Sequence, residues 1–104
     1  MPNEAQLAWA SYDAATDVQD RLEALRIVAR LSLEQRLQTE ALQLQLKPTI
    51  KGYATLLRSW RYLGTSWPEA IRRSGVGHQL GEALQHNKHR EAQRLLDERL
   101  QGDV

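Results

Sequence analysis

From Leu7 to Leu44 apolar residues recur in steps of three and four: Leu7, Ala10, Ala14, Val18, Leu22, Leu25, Ala29, Leu33, Leu37, Ala41 and Leu44. Only an α-helix brings residues at that spacing onto one face. From Val18 to Leu44 the mean step is about 3.7 residues, longer than the 3.5 of a left-handed coiled coil, so a heptad zipper is not expected. Ala24, Ile27, Val28 and Leu31 add a second stripe. A face that wide suits packing on more than one neighbour.

The start of this run is marked by Asn3 and Gln6, the pattern of a capping box. Its end is marked by Lys47-Pro48, because proline disfavours helix at the residue before it. One long helix over residues 4–46 is expected, with a bend near Ser32, where Ser32-Leu33-Glu34-Gln35 repeats the capping pattern. Four shorter helices are expected to follow. The second covers about 49–63, with Ile50, Tyr53, Leu57 and Trp60 on one stripe and Gly64 as its left-handed stop. The third starts at Ser66-Trp67-Pro68-Glu69, which joins a serine cap, a first-turn proline and a reciprocal glutamate. It ends at Ser74-Gly75. The fourth covers about 78–86. Asn87 breaks it and caps the fifth, about 88–101. The expected fold class is therefore all-α, a single helical domain over 1–104. Residues 1–46 form a helix for dimerisation or partner docking, and 47–104 a bundle.

Composition excludes several functions. The chain has no cysteine, so no disulfide framework, thiolate metal site or cysteine nucleophile is available. There is no glycine-rich phosphate loop and no serine in a nucleophile-elbow setting. The acids scatter along helix surfaces, and a domain of 104 residues has little room for a catalytic pocket. No enzyme activity and no cofactor are expected. Met1-Pro2-Asn3-Glu4 carry no basic stretch before an apolar run, and no run reaches the ~18 residues of a membrane span, so a cytoplasmic protein is expected.

Charge is unevenly spread. Residues 1–46 hold seven acids against four bases, a net of −3; residues 47–90 hold eight bases against two acids, +6; residues 91–104 hold two bases against four acids, −2. A basic centre between acidic ends points to an acidic partner, or to neutralisation by the chain's own first helix.

Inside the basic centre, Trp67 to Leu84 has the form of a helix-turn-helix: two short helices, a turn containing glycine, and a hydrophobic plug after it. Gly75 is the turn glycine, Val76 the plug, and Ala70 and Leu84 the core contacts. Two positions depart from the general pattern. Ile71 stands where a small residue usually lets the helices approach. Gly81 stands where the second helix usually presents a branched apolar side chain. The recognition helix would expose His78, Gln79, Glu82 and Gln85, of which Gln can read adenine and Glu can accept from cytosine. Arg72, Arg73, Lys88 and Arg90 would grip phosphates.

His78, Glu82 and His86 fall on one helix face, with His89 close in sequence, a spacing zinc accepts. With His78 in a first turn and Asn87 interrupting the helix, surface histidines are expected instead of a metal site. Trp60 lies on the stripe of the second helix and is expected in the core, and Trp67 is expected to staple the next helix. Trp9 lies off the main seam beside Tyr12, the kind of aromatic enriched at protein interfaces. Together with Val18, Leu22, Leu25 and Ala29 it makes a candidate protein-docking or homodimer surface. Two functions remain open: a DNA-binding transcriptional regulator, dimeric through its first helix, or a protein-binding regulator such as a transcription-factor antagonist or an adaptor.

Overall fold

A computed structural model describes residues 3–102. They form six α-helices: α1 Glu4–Ala14, α2 Val18–Leu46, α3 Ile50–Tyr62, α4 Trp67–Ser74, α5 His78–Gln85 and α6 His89–Gly102. Among the described residues there is no strand, and no helix is long and apolar enough to cross a membrane. The all-α class and the long helix followed by shorter ones are as expected. The chain divides into two compact units, residues 1–36 and 37–104, and α2 runs through the division.

The first unit corrects the single helix expected over 4–46. The break falls at residues 15–17, and Ser32 lies mid-helix. Ala15 turns to an extended conformation (φ −71°, ψ 134°), which ends α1. Asp17 then opens α2: its carboxylate accepts from the Gln19 amide at 3.3 Å and its carbonyl from the Arg21 amide at 3.1 Å. An aspartate at this place satisfies amides that a continuous helix would have paired internally. The Arg21 side chain secures the corner by donating to the Ala15 carbonyl at 3.2 Å and lying over the Tyr12 ring. The capping box at Asn3 is present in full: its side chain accepts from the Gln6 amide at 2.8 Å and Gln6 Oε1 accepts from the Asn3 amide at 3.0 Å. Among the described residues of this unit only Ala8 and Ala24 are buried apolar side chains.

The second unit holds most of the core: Leu37 and Ala41 on the end of α2; Tyr53, Leu56, Leu57 and Trp60 on α3; Ala70 and Ile71 on α4; Val76; Leu80, Ala83 and Leu84 on α5; Ala92 and Leu96 on α6. Helix α3 packs on α4 and α6, α4 on α5, and α5 on α6. The start of α3 lies close against the end of α2. A Cβ at Gly52 would meet Leu44 Cδ2 at 2.5 Å and Thr49 Oγ1 at 2.7 Å, so a larger residue there would have to displace those side chains, and the Tyr53 hydroxyl donates to the Leu44 carbonyl at 3.3 Å. Burial raises the Tyr53 pKa above its usual value, with the nearby Arg99 charge opposing that shift.

Two connections are built alike. Gly64 (φ 89°) follows α3, with the Gly64 amide donating to Arg61 and the Thr65 amide to Trp60. Asn87 (φ 57°) follows α5, with its amide donating to Leu84 and the Lys88 amide to Ala83. Both are Schellman closures around a left-handed residue. This corrects the part expected of Asn87, which closes the helix before it. Asparagine is one of the few residues other than glycine that tolerates this backbone region.

Candidate nucleic-acid interface

Helix α4 begins at the expected serine cap, but the Glu69 carboxylate turns to Arg72 and Arg73 instead of back to Ser66. Ser66 accepts from the Glu69 amide at 3.4 Å, and Pro68 sits in the first turn, where its missing N–H is no loss. The helix ends at Gly75, which is left-handed at φ 71°. Val76 follows at 0% exposure, the plug between α4 and α5. Gly77, at φ 93°, leads into α5. The turn is held from two sides. The buried Ser74 hydroxyl donates to the Ile71 carbonyl at 3.0 Å and accepts from the Val76 amide at 3.4 Å. It thus stands between two backbone groups that a glycine-ended helix commonly pairs directly. On the far side, Arg99 of α6 donates to the Val76 carbonyl at 2.7 Å.

The two departures from the helix-turn-helix pattern are one feature. A Cβ on Gly81 would lie 2.6 Å from Ile71 Cγ2 and 2.8 Å from Cγ1. The isoleucine on the first helix occupies the space that a branched residue on the second would otherwise fill. The volumes are exchanged across the contact and its density is kept, which is what a close-packed interior demands.

The residues expected to read DNA do not share one groove. Gln79 and Glu82 line a groove between α5 and α6, together with Lys88, Glu91, Arg94 and Glu98. His78 lines a shallow depression with Arg72 beside the turn. Gln85 lies in a separate cleft toward α3 and the start of α4. His78, Gln79 and Glu82 are exposed and Gln85 is half-buried. His78 Nε2 sits 3.4 Å from Glu82. Among the described residues no three His, Asp or Glu side chains converge in a way that could hold a metal.

The expected phosphate-gripping residues differ among themselves. Arg72 and Arg73 both donate to Glu69, Arg73 Nε at 2.8 Å. Hydrogen bonds from Arg72 and then Arg73 hold the Glu69 carboxyl down at about 2. Arg73 also lies 5.0 Å from the centroid of the Trp60 ring. Trp60 itself is fully buried, as its stripe predicts. Lys88 and Arg90 are exposed at the α5–α6 junction. Trp67 receives the Arg61 guanidinium over its ring at 5.3 Å. Sequence reasoning missed Arg61, which also donates to the Thr65 carbonyl at 2.7 Å, and Arg99.

On the first unit, Trp9, Val18, Leu22, Leu25 and Ala29 are exposed, and Tyr12 is half-buried. Trp9 meets Tyr12 edge to face, with ring centroids 5.9 Å apart. No family model matches the chain, and no curated protein or solved structure matches it either.

Proposed function

We propose that this chain is a non-enzymatic regulatory protein that binds double-stranded DNA through α4 and α5, with α5 in the major groove. The observation that supports this most is the Ile71–Gly81 exchange within a corner that also has a left-handed Gly75 and a buried Val76. An arbitrary helical hairpin has no need of these parts together. His78, Gln79 and Glu82 then face base edges, and a bidentate Gln–adenine contact is the most specific readout among them.

The test is fluorescence anisotropy with random and selected duplexes at about 50 mM and about 200 mM salt. Binding should weaken steeply with salt, because phosphate neutralisation releases counterions. Gln79→Ala should change preference among sequences and leave the salt slope unaltered, since base contacts specify and phosphate contacts position. No binding to any duplex at the lower salt rejects the reading.

A second reading has its own support. Leu7, Trp9, Val18, Leu22, Leu25 and Ile27 are exposed on the first unit, and apolar surface of that extent marks interaction sites. The surface would serve a second copy of the chain, giving a homodimer, or a regulatory protein partner. Sedimentation of wild type and Leu22→Glu at micromolar concentration separates these: a dimer lost in the variant supports self-association, and a monomeric wild type rejects it.

A further inference from the structure

The cations of the second unit fall into distinct groups. Arg61, Arg72, Arg73, Arg94 and Arg99 already donate to oxygens of this chain. Lys47 and Lys51 stand in a groove with Glu40, Lys88 in one with Glu82, Glu91 and Glu98, and Arg90 in one with Asp97 and Glu98. Arg58 is different. It is exposed, has no hydrogen-bond or ion-pair partner among the described residues, and lines a cleft that contains no carboxylate.

That cleft is bounded by Trp67 at the start of α4, by Leu84 and Gln85 at the end of α5, and by Asn87 and His89 at the junction with α6. Its polar side chains can all donate: a guanidinium, two amides and an imidazole. Beside them lie an aromatic ring, two leucines and an alanine. Donors around an anion with an apolar wall alongside match a phosphodiester and its sugar. The placement agrees with the chemistry. When the second helix of a helix-turn-helix enters the major groove, the first helix crosses the sugar-phosphate backbone, and this cleft joins the start of α4 to the end of α5.

We propose that the Arg58 cleft seats one backbone phosphodiester of the DNA that α5 reads, with Arg58 as its clamp. Arg72 and Arg73, held by Glu69, contribute less. The proposal rests on the DNA-binding reading above.

The experiment compares the full-length wild type with Arg58→Ala, Arg58→Lys and the double variant Arg72→Ala/Arg73→Ala. Anisotropy with one duplex is followed between about 50 and 200 mM salt. Loss of a charge-assisted hydrogen-bonding pair should make Arg58→Ala weaker by about tenfold or more at low salt. Its log–log salt slope should be flatter by about 0.9, one phosphate contact. Arg58→Lys should keep the slope and recover only part of the affinity, because an ammonium cannot form the bidentate fork. The double variant should lose less than Arg58→Ala. Thermal melting checks that each variant is folded; if Arg58→Ala melts early, Arg58→Gln, which keeps the stem, replaces it. Wild-type affinity and slope in a folded Arg58 variant overturn the cleft assignment and leave DNA binding standing. A wild type that binds no duplex overturns both.

Discussion

The two units use the same residue types and the same helical spacing to opposite effect. In the second, a three-to-four step on α3 puts Tyr53, Leu56, Leu57 and Trp60 into a core closed by α4, α5 and α6. In the first, an equally regular step puts Val18, Leu22 and Leu25 on the surface, and the buried apolar residues among those described there are two alanines. Amphipathic spacing therefore specifies that a helix has a face to cover. It does not specify that the chain itself covers it. Helices this thinly packed take little stability from tertiary contact, and isolated short helices are marginal in water.

Truncation in each unit tests the contrast most strongly. Trp60→Ala should destabilise by about 3–5 kcal/mol and Leu57→Ala by about 2–5 kcal/mol, from lost transfer energy plus a residual cavity. Leu22→Ala, 41% exposed, should stay within about 0.5 kcal/mol. Urea melts of the three variants decide it; a large effect at Leu22 would mean its face is covered in solution.

A smaller effect is expected inside the second unit. Gly81→Ala forces a methyl against Ile71, an overpacking worth about 1–3 kcal/mol. Adding Ile71→Ala should recover much of that loss, whereas each change alone destabilises. Strict additivity in the double-mutant cycle would show that the two positions do not share one space.

Ser66→Ala removes the cap of α4 and should cost about 1 kcal/mol, lowering the melting temperature by roughly 4–8 °C. The smallest effect is electrostatic. The Glu69 carboxyl, held at about 2 by Arg72 and Arg73, contributes stability above its unfolded value of 4.5. That contribution is lost as pH falls from about 4.5 through about 2. Between pH 5 and pH 2 the wild-type melting temperature should fall more than that of Glu69→Gln. Parallel curves would mean the pairing has no weight in solution.

What the sequence made legible was local. Caps and stops depend on one or two neighbouring residues, so Asn3, Ser66, Gly64 and Gly75 are legible from the chain alone. The corner at residues 15–17 was hidden because Ala14 and Ala15 are strong helix formers, and only Asp17 marks the new start. Asn87 marks a break in the sequence, but the helix it serves is set by the backbone on each side. Along the chain Ile71 and Gly81 stand as two separate departures from a general pattern; their reciprocity exists only across space. Arg72 and Arg73 differ: their pairing with Glu69 at i−3 and i−4 follows from helical spacing, and net charge alone does not reveal it. Arg58 offered no signal, since nothing along the chain says which grooves hold carboxylates.

The bond from Arg99 to the Val76 carbonyl joins residues 23 positions apart. The α4–α5 turn therefore depends on a residue outside the Trp67–Leu84 segment. Take α6 away, and the Val76 carbonyl loses its charged donor while the glycines, the Val76 plug and the Ser74 hydroxyl remain. The angle at which α5 is presented is in this way tied to the position of α6.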